Sequence, residues 1–239
     1  MTEFIINPLT TEERLQVVRL IRHDSRNNMN NLLGFTAYLS SELDIKDIDG
    51  SNLQAAYADA INVSQIMHAM SDLIQEEELY FCDQDYYYGN NVKILFEGIR
   101  LIYPKSKGEE IIRCEKFRTK DSLIHLVMSN FVKNSLCSGS ANIDLIAEDV
   151  SVFPDAVYVP EGARAYGNFV ALRVHDNGQG FTNDKPLIDR LTVCPEKGKH
   201  GFGLYFTGLV AKVLRAPVDI QSKPGDTTVS FYQPIYDSE

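Results

Sequence analysis

The sequence lacks any run of roughly 20 mostly apolar residues, the length that a membrane-spanning helix needs. Its first 14 residues lack the basic and then apolar pattern of an export signal, being polar and carrying Glu3, Glu12 and Glu13. Positive charge is scarce: 23 Lys and Arg stand against 33 Asp and Glu, a formal net charge of -10, and no stretch is densely basic. An acidic chain of this kind is repelled by nucleic-acid phosphates and anionic lipid. Cysteine is sparse too. Cys82, Cys114, Cys137 and Cys194 lie far apart, with no CxxC or Cys/His ligand spacing, so reduced thiols are expected rather than a zinc site or a disulfide framework. These absences predict a cytoplasmic protein with no membrane insertion and no nucleic-acid partner.

What is present suits a globular protein. Of 239 residues, 44% are hydrophobic and 23% charged, enough for one large domain or two modest ones. The first third reads as two helices. Thr10 or Thr11 can cap the first, with Glu12 and Glu13 in its first turn, where acidic groups suit the helix dipole. Apolar residues then recur at Val18, Ile21, Met29, Leu32, Phe35, Leu39 and Leu43, close to helical spacing. Residues 45–50 form a turn. Ser51 can cap a second helix whose seam runs Leu53, Ala56, Ala60, Val63, Met67, Met70, Ile74. A helical hairpin with such a seam is closed by a second copy or by the rest of its own chain. The expectation is a second copy, giving a four-helix bundle across a homodimer.

Beyond residue 80 the pattern changes, and residues 81–90 read as a boundary. Helices are expected at 92–103, 121–136 and 201–214, with strands at 111–115, 141–147, 169–175, 218–222 and 227–233. Residues 152–167 are loop-rich. Mixed helices and strands with a terminal antiparallel pair make an α+β chain whose second part is a sandwich.

Four segments carry candidate chemistry. In the first helix, His23-Asp24-Ser25-Arg26-Asn27 sets an imidazole off the apolar seam. A neutral, oriented ring is a nucleophile near neutral pH, and the adjacent Asp24 can take its proton. Asn130 and Asn134, four apart, share a helix face, where an amide oxygen suits Mg²⁺. Asp176-Asn-Gly178-Gln-Gly180 follows an apolar strand; its glycines permit sharp turning and close approach of a ligand. Gly198-Lys199-His200-Gly201-Phe202-Gly203-Leu204 opens a helix, leaving free N–H groups for phosphate beside a Lys. Singly, each is also an ordinary polar turn, a solvated pair of asparagines or a glycine-rich helix entry.

Their order is distinctive. The chain resembles a histidine kinase of two-component signalling over nearly its whole length. His23 to Asn27 is similar to the phospho-acceptor box of a dimerisation and histidine-phosphotransfer hairpin. Asn130 to Asn134 is similar to the N box, Asp176 to Gly180 to the first glycine box, Gly201 to Leu204 to the second, and Thr227-Thr228 to the last nucleotide-contacting turn. The resemblance implies a hairpin over residues 1–82 and, over 83–239, an ATP-binding α/β sandwich of the histidine-kinase/gyrase ATPase type.

It also implies roles. Asp176 would read adenine, Asn134 would hold Mg²⁺ with Asn130 supporting the phosphates, and Gly201, Phe202, Gly203 and Leu204 would wrap the phosphates with Lys199 under a mobile lid at 182–199. Thr227 would contact the nucleotide. His23 would attack the γ-phosphorus of ATP with Asp24 as base, a response-regulator receiver domain would accept the phosphoryl group, and Asn27 would aid dephosphorylation of the regulator. Departures are visible. Lys199 stands where an earlier glycine is usual, Cys137 where a basic residue often follows the N box, Leu187 and Leu191 replace a phenylalanine-centred lid box, and 152–167 looks inserted. The hairpin and ATP domain consume nearly all 239 residues, so the input signal is expected from a partner, a small ligand or an N-terminal contact. The alternatives are a phosphorelay histidine phosphotransferase whose degenerate ATP domain binds no nucleotide, and a serine kinase of the anti-sigma-factor type, a family without a His-Asp hairpin.

Overall fold

The computed structural model of the chain describes residues 9–10, 12–13, 86–114, 116–119, 121–151, 154–181, 186–195 and 202–235. Nearly all of the expected hairpin, with His23, Asp24 and Asn27, lies outside them. The described chain runs β1 (Tyr86–Tyr88), α1 (Gly89–Ile102), β2 (Glu110–Arg113), β3 (Lys116–Arg118), α2 (Asp121–Cys137), β4 (Ile143–Val150), a 3-10 turn (Ala163–Ala165), β5 (Phe169–Asp176), α3 (Leu187–Thr192), α4 (Phe202–Leu214), β6 (Val218–Lys223) and β7 (Asp226–Pro234). Five strands form one sheet in the order β2-β4-β5-β7-β6. Only β2 and β4 pair in parallel; the other neighbours are antiparallel. β1 pairs with β3 in a separate two-stranded sheet.

Alternation along the strands decides what each face does. Val170, Leu172 and Val174 of β5 join Ile143, Leu145 and Ala147 of β4 and Val229 and Phe231 of β7 in the main core. The helices bring Val92, Leu95, Phe96 and Ile99 from α1 and Leu123, Val127, Phe131 and Val132 from α2 to the same cluster. The spacing in both helices is three or four residues, one face of an amphipathic helix. Asp176 has the parity of Val174, so it ends β5 on the helix side. The opposite face carries a small cluster of Phe169, Ala171 and Tyr232, with Tyr166 from the long loop packed against it. The loop expected to be an insertion thus covers part of the outer sheet face. There Arg173 pairs with Glu148 and stacks 5.8 Å from the Tyr232 ring centre.

Predicted and observed elements agree closely in the second part. β4 runs three residues past its expected end, to Val150, because it pairs residue for residue with all of β5. β1, within the expected boundary at 81–90, and α3, within the expected lid, had no sequence signal. α4 ends with Arg215 in the left-handed region at φ 51 and a hydrogen bond from Ala216 N to Ala211 O at 2.9 Å. This is a Schellman-type closure before Pro217. Cys114, Cys137 and Cys194 are free thiols, and burial together with the Asp149 charge pushes Cys114 up to about 11. No helix among the described residues is long and apolar enough to cross a membrane.

The first described residues dock on this domain. Leu9 is 4% exposed and belongs to the main core. Thr10 and Glu13 form a capping box, with Glu13 N donating to Thr10 Oγ1 at 3.2 Å and Thr10 N donating to Glu13 Oε2 at 2.7 Å. The same carboxylate accepts Lys212 Nζ of α4 at 2.7 and 2.8 Å. Burial pushes the Glu13 carboxyl up, but the Lys212 ammonium and the Thr10 donors outweigh it and hold it below the ordinary 4.5. A lowered folded-state pKa stabilises the fold above the unfolded value, and that contribution disappears as pH falls through the folded value. Glu13→Gln is therefore expected to cost about 1 kcal/mol at pH 7. The gap between variant and wild type in urea denaturation should close on acidification below 4.5; a gap independent of pH would contradict the ion-pair account.

Candidate functional site

The centre of the site is a buried carboxyl group. Asp176 is 3% exposed. Its Oδ2 accepts Ser135 Oγ at 2.7 Å. Its Oδ1 accepts Ser140 Oγ at 2.7 Å and Gly178 N at 2.8 Å. Ser135 comes from the last turns of α2, directly after Asn134, and Ser140 from the α2–β4 turn. The Gly178 N–H comes from the loop that Asp176 itself opens. Burying such a group costs several kcal/mol unless donors meet it, and here three do.

The 176–180 loop is seated on the α2–β4 turn by further bonds. Asn177 Oδ1 accepts the N–H groups of Ala141 and Asn142, both at 3.0 Å, and Gln179 N donates to Ser138 O at 3.1 Å. A Cβ on Gly178 would lie 1.9 Å from Ser138 Oγ and 2.5 Å from Ser140 Oγ, so only glycine allows this approach. Gly180 has φ +75, and a Cβ there would meet Ser222 Oγ at 2.7 Å. On the other side, Gly225 N of the β6–β7 turn donates to Gly178 O at 2.8 Å. Thr227 is 3% exposed, pairs in register with Asp176 and shares a 3.0 Å hydroxyl contact with Ser222.

The N-box asparagines lie on α2 beside this loop. Asn130 Nδ2 reaches Gly203 O at 3.4 Å, and a Cβ on Gly203 would stand 3.1 Å from Asn130 Oδ1. The first turn of α4 is thus held against α2 by Asn130, while Thr207 Oγ1, within α4, donates to the same Gly203 O at 3.0 Å. Asn134, half-buried one turn along from Asn130, has no side-chain hydrogen-bond partner among the described residues. Its amide oxygen fits a hard cation that keeps several waters and takes few protein ligands. Leu204 is buried at 4% exposure and serves the core. α4 begins at Phe202. Lys199 and Gly201, like His23, Asp24 and Asn27, lie outside the described residues.

The structure therefore brings Asn130, Asn134, Asp176, Gly178, Gly180, Gly203 and Thr227 to adjoining elements. Sequence reasoning gave Asn177, inside the first glycine box, no role of its own, and it missed Ser135, Ser138 and Ser140. The only signal was a cluster of short hydroxyls straight after Asn134, and nothing in it announced partners some 40 residues away. His175, on the outer face, lies 3.2 Å from both Asp144 Oδ2 and Asp226 Oδ1, cross-linking three strands behind Asp176.

The expected lid is partly packed. Within it, α3 buries Leu191 at 1% exposure, and α3 lies so close to α4 that a Cβ on Gly208 would stand 1.9 Å from Leu191 O. Backbone cannot yield to a methyl group there. Gly208→Ala is expected to push α3 off α4 at a cost of roughly 1–3 kcal/mol. Hydrogen exchange at the amides of 187–192 should quicken more than in the sheet; protection unchanged there would show that the contact is not the one holding α3.

No protein-family model matches the chain, and no curated protein is similar to it in sequence. Solved structures are similar in fold. The histidine kinase AdeS of Acinetobacter baumannii matches with a TM-score of 0.50 at 14% identity, over 90% of this chain and 98% of that one. The histidine kinase domain of a blue-light activated kinase from Erythrobacter litoralis EL346 matches with a TM-score of 0.45 at 13% identity, over 95% and 96%. The catalytic domain of histidine kinase ThkA matches with 0.46 at 13%, over 66% and 97%. The first of these carries the conclusion on fold: the mixed sheet with its covering helices is similar in fold to the histidine kinase AdeS.

Proposed function

We propose that this chain is a histidine kinase that moves the γ-phosphoryl group of ATP to His23 and then to an aspartate of a response-regulator receiver domain. The observation that supports this most is the Asp176 carboxyl group, buried at the end of β5 and set between the helix of Asn134 and a glycine at 178 with no room for a side chain. A carboxylate offers only acceptors, which suits the exocyclic amine of adenine. The half-buried Asn134 supplies an amide oxygen for Mg²⁺. Asn130 holds the turn at Gly203, and the free N–H groups of the first turn of α4, with Gly201 and Lys199 before it, suit phosphate oxygens. Bound Mg²⁺ neutralises charge on the β- and γ-phosphates.

The group transfer then follows from the hairpin residues. A ring nitrogen of His23 forms the new N–P bond in line as the bond from the γ-phosphorus to the bridging oxygen breaks. ADP leaves with that electron pair, and Asp24 takes the ring proton. Asn27, four residues after His23, orients a water for dephosphorylation of the regulator. Residues 1–82 serve as the dimerisation hairpin of a cytoplasmic homodimer, and 83–239 as the ATP-binding domain. The intact Asp176, Gly178 and Gly180 weigh against a phosphotransferase that binds no nucleotide.

The test uses γ-labelled ATP and Mg²⁺ with the full chain, His23→Ala and Asn134→Ala. Acid-labile label is expected on the wild type, none on His23→Ala, and roughly a hundredfold less on Asn134→Ala. An unlabelled wild type would defeat the autokinase reading, and absent nucleotide binding by calorimetry would turn it into the phosphotransferase. Acid-stable label surviving His23→Ala would point to a serine kinase.

A further inference from the structure

Asp176 spends its acceptor positions unevenly. A carboxylate has about four lone-pair positions, two on each oxygen. Oδ1 already takes two donors, Ser140 Oγ at 2.7 Å and Gly178 N at 2.8 Å. Oδ2 takes one, Ser135 Oγ at 2.7 Å. One position is left, and it is on Oδ2. The bond from Ser140 is reinforced from behind, because Ser138 Oγ lies 3.2 Å from Ser140 Oγ. Ser138 also donates to Ser135 O at 2.8 Å, but that carbonyl has a second donor in Ser140 N at 3.1 Å. The Ser138 hydroxyl can therefore turn toward Ser140, giving a chain of hydroxyls polarised toward the carboxylate, each bond strengthening the next. Gly178 closes the arrangement, seated so tightly on both hydroxyls that no methyl group fits between.

We propose that Ser140 is a specificity-determining residue of the nucleotide site: by filling Oδ1 it holds the carboxylate in one orientation and leaves Oδ2 a single acceptor for a 6-amino purine. The proposal rests on the nucleotide-binding reading above. A 6-oxo purine presents an acceptor there, so two acceptors meet and the base is refused. Without the Ser140 hydroxyl, the carboxyl group is held on the Oδ1 side by one backbone N–H alone. It can then turn about its broad terminal torsion, so its acceptors no longer hold one line and a 6-oxo group is refused less strongly. Ser140 acts through Asp176, so it is a positioning residue and its signature is discrimination, not affinity alone.

The experiment measures dissociation constants of Mg-ATP and Mg-ITP by calorimetry for the full chain, Ser140→Ala, Ser140→Thr and Ser140→Cys. ITP differs from ATP in carrying oxygen for the 6-amino group. The wild type is expected to prefer ATP. Ser140→Ala should lower the ITP-to-ATP ratio of dissociation constants about tenfold, the usual weight of a hydrogen bond to a charged group. Ser140→Thr, which keeps the hydroxyl, should restore it. Ser140→Cys, with a weak donor of similar size, should fall between and serves as the test if the alanine variant loses its cooperative thermal transition. A ratio equal to that of the wild type in both the alanine and cysteine variants would overturn the role of Ser140, even if both nucleotides bound more weakly. A wild type that binds neither nucleotide would overturn the nucleotide-binding reading itself, and this inference with it.

Discussion

The burial of the Asp176 carboxyl group is the constraint from which the rest of the site follows. An ionisable group with 3% exposure needs donors from several directions. Here they come from α2, from the turn after it and from the loop after β5. Each donor demands a local feature: a serine in the last turns of α2, a compact Ser-Gly-Ser turn, and a glycine whose N–H can fold back on its own neighbour. Asn177 then ties the same two segments from the other side through Ala141 and Asn142. The result is a rigid junction between the helix that carries the asparagines and the strand that carries the carboxylate. Their separation is set by hydrogen bonds of 2.7–3.0 Å rather than by apolar contact.

Much of this fold is legible in the chain because it depends on local periodicity. The face of α1 through Val92, Phe96 and Ile99, the alternation along β5 and the Pro-Gly-Asp turn between β6 and β7 are each written in consecutive residues. What was not legible depends on partners distant in sequence. β1 exists because it pairs with β3, and α3 because Leu191 reaches the core over Gly208. The end of β4 is set by the length of β5. The site divides in the same way. Asn130, Asn134, Asp176 and the glycines stood out as motifs, whereas Ser135 and Ser140 look like ordinary surface hydroxyls until the strand brings Asp176 beside them. Thr10 and Glu13 also read as a helix start, and nothing local says that Leu9 beside them enters the core or that Glu13 pairs with Lys212 of α4.

α4 shows why these parts act together. Glycine costs roughly 1 kcal/mol in a helix interior relative to alanine, and α4 carries two, Gly203 in its first turn and Gly208 in its middle. Both are used for close approach. Gly203 sits under Asn130 of α2, and Gly208 sits under the backbone of Leu191 in α3. Near the other end, Lys212 takes Glu13, and basic charge in a last turn also suits the helix dipole. Leu204, Tyr205, Phe206, Leu209, Val210, Val213 and Leu214 are all buried, so no face of the helix is free to adjust. A helix packed on every side moves as a unit or not at all. Displacement of α3, of the N-terminal segment or of α2 must therefore be felt at Gly203, in the first turn of α4 beside Asn130. The weak helical propensity of α4 is what makes this possible: bulkier residues at 203 and 208 would strengthen the helix and separate it from both neighbours.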